Sequence, residues 1–223
     1  MNCRKLSPVQ MFQFYHTYLI TMKLRSFYLA ILVFSLFILP SCAQNKVVAP
    51  RTDLTSKARG SYSVGDSIRN FSLKNYDGKN VSLTDFKAAK GIVIVFMRNT
   101  CEYCQAYESR IIALDKKYKP LGYPLIAISP FGDDPKNYPK DDLPHMKLMA
   151  EKRGYTFPYL SDDKLRVTNL FDDQYTPVSY ILQHKNGKMI LIYAGDIDDD
   201  WENIHPVKKN FTASKLDSLL RLR

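Results

Sequence analysis

The chain is poor in the residues that staple or ligate. Only four of its 223 residues are cysteine, and two of these, Cys3 and Cys42, lie in the N-terminal segment. Beyond it stand only Cys101 and Cys104, so a disulfide-stapled scaffold is excluded. Histidine is equally scarce: past the N-terminal segment only His145, His184 and His205 occur, scattered along the chain. A closed structural zinc site needs about four Cys or His ligands, and no second ligand pair stands at metal spacing. No metal and no cofactor is therefore expected. The longest apolar stretch, Phe27 to Pro40, falls short of the roughly 20 residues of a membrane-spanning helix. The lysines are spread, and no basic tract interleaves with aromatics, so nucleic-acid binding is not expected. Internal repeats and low-complexity segments are absent.

What the N-terminus does contain is a leader. Lys23 and Arg25 precede the apolar stretch, the order of a secretory signal. Leu39-Pro40-Ser41-Cys42 resembles the bacterial lipobox, in which cleavage precedes a cysteine that becomes diacylated. Residues 1–41 are thus expected to be a lipoprotein signal with a functional start at Met1 or Met22, and Cys42 the lipidation site. Loss of Arg4, Lys5, Lys23 and Arg25 with it lowers the formal charge from +10 to +6. The polar stretch 43–60 reads as a tether that, with Cys42, forms the anchoring segment 42–60. Residues 61–223 read as one domain.

Within that domain one pair of thiols remains. Cys101-Glu102-Tyr103-Cys104 follows the apolar run Gly91–Met97 and precedes a helix-like stretch from Gln105 to Tyr118. A cysteine at a helix N-terminus faces unpaired N–H groups and a favourable dipole, which stabilise the attacking thiolate. The second cysteine, one turn on, is placed to resolve a mixed disulfide. Two buried structural thiols are the plain alternative.

Periodicity supplies the surroundings. Strands are expected at Phe71–Lys74 and Val81–Leu83 around an Asp77-Gly78 turn, and a short helix at Leu83–Phe86 with Thr84 as its cap. Ile92–Met97 and Pro124–Ser129 read as buried strands. A loop spans 130–140, and a helix runs over Leu143–Arg153 to a Gly154 cap. Phe157–Leu160 reads as extended and Asp163–Phe171 as helical. Val178–Gln183 and Met189–Tyr193 form a hairpin around Asn186-Gly187, and Ser214–Leu222 a terminal helix.

This order, with Cys-x-x-Cys after the first central strand, resembles the thioredoxin fold: α/β, a central mixed sheet flanked by helices, with an N-terminal β-hairpin extension. Val64–Phe71, Tyr76–Lys79 and Leu83–Phe86 resemble the opening of the redoxin superfamily. That group joins alkyl hydroperoxide reductase/thiol-specific antioxidant proteins to extracytoplasmic thioredoxin-like reductases. Thr100–Ile111, Met146–Leu160 and Ala194–Asp199 resemble its peroxiredoxin-like branch. The resemblance covers about 64–223. It implies that Thr176-Pro177 is a cis bond facing the dithiol. Two departures stand out. Peroxiredoxins place threonine three positions before the reactive cysteine, where this chain has Arg98. Thioredoxins place a buried aspartate six positions before it, where this chain has Val95.

With that aspartate missing, Glu108 becomes a candidate to take the proton of Cys104, four residues away on the same helical face. A solvated carboxylate, or local pairing with a basic side chain, is the alternative. Asp196, Asp198, Asp199 and Asp200 lack the spacing of a calcium loop and are expected to be solvent-facing. Trp201 and His205 either line a substrate edge or pack as ordinary partly buried residues. Tyr103 is expected to be exposed.

The catalytic set is thus Cys101, Cys104, Glu108, Thr176 and Pro177. The first expectation is a lipid-anchored thiol–disulfide oxidoreductase of the bacterial envelope, facing the periplasm from either membrane. Its partners would be envelope proteins with disulfides or thiols and a membrane or periplasmic electron donor. A thiol peroxidase, and a non-enzymatic redox-sensing or docking module, are the alternatives.

Overall fold

The strand Gly91–Phe96 (β4) has no exposed residue, and its side chains divide between two cores. Val93 and Val95 pack with the helices that carry Tyr107, Ile111 and Leu216. Ile92, Ile94 and Phe96 pack with Leu83, Phe171 and Tyr180 on the other face. Period-two alternation in a strand apolar at every position demands this double cover. A computed structural model of the chain describes residues 61–131, 136–171, 175–201 and 205–222. The leader, Cys42 and the tether at 43–60 lie outside them.

Eight strands form one mixed sheet in the order β1-β8-β7-β4-β5-β6-β2-β3. They are Ser67–Ile68 (β1), Ser72–Asn75 (β2), Asn80–Ser82 (β3), β4, Leu125–Ser129 (β5), Tyr159–Ser161 (β6), Val178–Lys185 (β7) and Lys188–Gly195 (β8). β4 runs parallel to β5 and antiparallel to β7. Among the described residues four α-helices accompany them: Glu102–Tyr118 (α1), Leu143–Arg153 (α2), Thr168–Phe171 (α3) and Phe211–Arg221 (α4). This is the thioredoxin-type arrangement with the expected N-terminal hairpin, β2–β3.

The sheet is curled. In a flat sheet six strand spacings of about 4.8 Å would separate β1 from β2 by about 29 Å. The chain from Ile68 to Ser72 can stretch no more than about 14 Å. The two edges must therefore approach one another, and a shallow cleft lined jointly by Ile68, Leu83, Lys87, His184 and Met189 sits where they do.

Local chemistry sets the boundaries. A Cβ at Gly91 would lie 2.1 Å from the Leu182 carbonyl oxygen and 2.6 Å from the Tyr123 ring, so only glycine starts β4. Asn186 and Gly187 both have positive φ, as a tight primed hairpin turn requires. The cap of the 3-10 turn Leu83–Phe86 is Ser82, not Thr84: its hydroxyl accepts from the Thr84 amide while Asp85 returns a bond to the Ser82 amide. Asp163–Phe171 is not one helix. Lys164 and Leu165 take left-handed backbone. The buried carboxylate of Asp162 accepts from the Val167 and Thr168 amides and from the Thr168 hydroxyl, starting α3 only there. α4 begins three residues earlier than expected, because Asn210 accepts from the Ala213 amide.

Candidate active site

Cys101 follows β4 by a short loop and is the N-cap of α1, its backbone extended and its sulfur accepting from the Cys104 amide at 3.2 Å. A thiolate suits this place better than a thiol, because the free amides of the first helical turn converge on it. The Thr176 carbonyl oxygen lies 3.4 Å from the same sulfur, and the Thr176–Pro177 bond is cis. The two thiols differ sharply. Cys101 is lowered to about 6, first by its hydrogen bond with the Cys104 thiol. Burial opposes that lowering; the Thr176 side chain, the Cys104 amide and the Arg98 charge add to it. Cys104 is raised, first by burial and then by the bond and charge of Cys101. Cys101 is 7% exposed and Cys104 wholly buried, with the Arg98 amide 3.4 Å from its sulfur.

The segment before the dithiol is held from several sides. The Thr100 amide and hydroxyl both donate to the carboxylate of Asp141, which is fully buried. The Asn99 side chain donates to the Lys140 carbonyl, and Gln105 of α1 donates to the Asn99 carbonyl. Tyr159 of β6 donates to the Met97 carbonyl and the Asn99 side chain. A loop this fully hydrogen-bonded presents a fixed thiol.

Glu108 lies on the inner face of α1, 8% exposed. Its carboxylate accepts from the Tyr155 hydroxyl at 2.6 Å and pairs with Arg153 Nε at 3.1 Å. Local pairing with a basic side chain is thus what the structure places there. The Tyr155 hydroxyl is pushed up, first by burial, then by its bond to Glu108 and the Glu108 charge. The charge of Cys104 acts on it too, so the Tyr155–Glu108 pair lies within electrostatic reach of the second thiol.

The acidic cluster is not solvent-facing as a whole. Asp198 and Asp200 are buried, because Arg110 of α1 reaches them: its guanidinium donates to both Asp198 oxygens at 2.8 Å and to the Asp200 carbonyl. Tyr107 donates to Asp198 as well. A run of carboxylates favours solvation, but an arginine on a neighbouring helix supplies the partner that makes burial affordable. Asp199 bonds the Lys208 and Lys209 amides. The clamp carries Trp201 onto Tyr103, edge to face at 5.1 Å, both well exposed. His205 is exposed and takes no part in that contact beyond a backbone bond to Asp200.

Two neighbours of the dithiol escaped sequence reasoning. Asp141 lies 40 residues from Cys101 beside Asp142, whose capping role masks it. In the sequence Arg98 stands out only as a departure from the peroxiredoxin pattern. Its guanidinium lies over the rings of Phe131 and Tyr138, which stack on each other at 4.1 Å.

The chain matches the AhpC/TSA family over residues 64–190. Peroxiredoxin Q of Gentiana triflora chloroplasts is 32% identical over 139 residues, 55% of this chain and 55% of that protein. The chain thus spans about half the length of that relative. The thiol–disulfide oxidoreductase ResA of Geobacillus thermodenitrificans is 28% identical over 148 residues, covering 64% of this chain and 79% of ResA. Among solved structures, an uncharacterised conserved protein from Geobacillus kaustophilus superposes with a TM-score of 0.66 at 33% identity, over 73% of this chain and 84% of that one. The fold, the Cys-x-x-Cys at the head of α1 and the matched span agree, and the chain belongs to the AhpC/TSA family within the thioredoxin-like redoxins.

Proposed function

We propose that the protein is a thiol–disulfide oxidoreductase in which Cys101 attacks and Cys104 resolves. The observation that carries this reading is the inequality of the two thiols. One is depressed to about 6 at a helix N-terminus, and the other is buried and held protonated one turn on. The Cys101 thiolate attacks one sulfur of a partner disulfide, the S–S bond breaks, and the departing thiolate takes a proton from water. Cys104 then loses its proton and attacks the Cys101 sulfur. The second partner thiol leaves, and a Cys101–Cys104 disulfide remains. Glu108, coupled to Tyr155, is the candidate destination for the Cys104 proton, and the Thr176 carbonyl beside Pro177 is positioned to hold an extended partner segment. A thiol-bearing donor, membrane-bound or periplasmic, returns the two electrons.

The test is trapping. Cys104→Ser should accumulate mixed disulfides through Cys101 that vanish on reduction, and a Cys101→Ser/Cys104→Ser double variant should accumulate none. Equal adducts in both would overturn the assignment.

A thiol peroxidase is the second reading, favoured by the peroxiredoxin Q relative. Cys101 would reduce a hydroperoxide, become a sulfenic acid, and condense with Cys104 to release water. Arg98 stands where the usual threonine would be, which weighs against it. Peroxide consumption under a dithiol donor separates the two readings.

We further propose export and anchoring through a diacylated Cys42, which supplies the two chains that stable anchoring needs. The domain then acts beside the membrane on envelope proteins. Cys42→Ala should release the protein from membranes, or leave it uncleaved, with its dithiol active. Wild-type protein in the cytosol with an intact leader would remove this reading.

A further inference from the structure

Arg98 is a partly buried cation that, among the described residues, has no counter-ion. Its Nε is enclosed and has no hydrogen-bond partner, and among the described residues no carboxylate pairs with its guanidinium. Other arginines near the site are treated differently: Arg110 is clamped by Asp198 and Arg153 by Glu108. Arg98 instead lies over the stacked rings of Phe131 and Tyr138, at 5.2 and 5.4 Å from their centres. Aromatic faces orient a guanidinium and leave its N–H edge free for a planar anion.

The resting thiolate of Cys101 supplies part of the missing charge, and Arg98 is among the groups that lower that thiol. That balance is lost during exchange. Once Cys101 is in a mixed disulfide its sulfur is neutral, and the guanidinium is left partly buried with no anion. A carboxylate carried in by the substrate would restore neutrality at that moment, and would hold the scissile disulfide against Cys101 by a two-point bond.

We propose that Arg98 is a carboxylate-binding residue that selects disulfides bearing a carboxylate within a few bonds of the sulfur. The inference rests on the disulfide-exchange reading above. No new chemistry is required: the dithiol is oxidised, the substrate disulfide is reduced to two thiols, and Arg98 only pairs with the substrate anion.

Two substrates of one skeleton, dithiodipropionate and its dimethyl ester, isolate the charge. The reduced full-length protein is mixed with each under single-turnover conditions, and formation of the Cys101 adduct is followed by mass spectrometry. Both substrates meet the same thiolate, so the ratio of their rates cancels any change in its ionisation. Arg98→Gln should lower the acid-to-ester ratio about tenfold, the loss of one charge-assisted contact worth about 1.4 kcal/mol. Arg98→Lys, which keeps the charge but not the fork, should fall between. An unchanged ratio in Arg98→Gln, with both rates reduced alike, would show that Arg98 only depresses the thiol and would overturn the inference alone. If the wild type attacks neither substrate, the disulfide-exchange reading fails, and the inference fails with it.

Discussion

Thr100 gives both its amide and its hydroxyl to the carboxylate of Asp141, fixing the residue before the reactive thiol to the start of the segment that leads into α2. Asp141 is wholly buried, so losing the Thr100 bonds strands its carboxylate away from water, and losing Asp141 removes the anchor of the loop. Asp141→Ala should lower stability by about 1–3 kcal/mol in urea denaturation. Thr100→Val should act through the same contact, so the double variant should lose clearly less than the sum of the two. Strict additivity would show that the two residues do not act as a pair.

The thiol of Cys101 should titrate near neutral pH. Its alkylation rate should reach half its plateau at about pH 6, against 9.0 for an ordinary cysteine, with Cys104 unlabelled. Stability follows with a definite sign. Between about 6 and 9.0 the native thiol has released a proton that the unfolded chain still binds, so stability rises with pH in that window. The advantage of the reduced wild type over Cys101→Ala should therefore be full near pH 9 and fade as the pH falls to 6. A difference independent of pH would contradict the depressed thiol.

Glu108 and Tyr155 should matter to the second chemical step and not to the first. Glu108→Gln should leave the attack by Cys101 on a disulfide within about twofold, while slowing resolution by Cys104 by about a hundredfold, the usual scale of a lost proton acceptor. Tyr155→Phe, which keeps the carboxylate, should slow resolution less. Stopped-flow release of the first and second thiol separates the steps. Equal slowing of both would reduce Glu108 to a packing role.

Breaking the Arg110 clamp should both destabilise the domain and free its aromatic edge. Asp198→Ala removes the bidentate carboxylate of a largely buried guanidinium and leaves only that of Asp200 at 4.0 Å, a loss of at most about 3 kcal/mol. Trp201 is the only tryptophan in the chain, so intrinsic tryptophan emission reports on its contact with Tyr103. Emission should shift to the red in Asp198→Ala and again in Tyr103→Ala, the latter with little change in stability. A shift in neither would show that the clamp does not position Trp201.

The sequence by itself determined the elements whose signals are local. β4 was legible because six consecutive apolar residues need cover on both faces, and α2 because Gly154 marks its end. The Asn186-Gly187 turn was legible because that pair tolerates the positive φ a tight hairpin demands. The dithiol pair was legible for the same reason: a helix N-terminus after a buried strand is a local arrangement that acts on its own cap residue. Asp163–Phe171 shows where local reading ends. The helix there is interrupted by a carboxylate, Asp162, that bonds amides five and six residues ahead. Only the tertiary structure decided the rest, because it depends on partners far apart in the chain. It paired Arg110 with Asp198 across 88 residues and so buried an acidic cluster that its composition would send to water. It brought Asp141 to Thr100 and Tyr155 to Glu108, contacts with no periodicity to announce them, whereas the approach of Thr176 to Cys101 was implied by the family resemblance alone. Spacing along a chain fixes which residues share a face of one strand or helix. Which charges meet across the sheet is set by how the elements pack, and that packing, among the described residues, leaves the Arg98 guanidinium without a carboxylate partner.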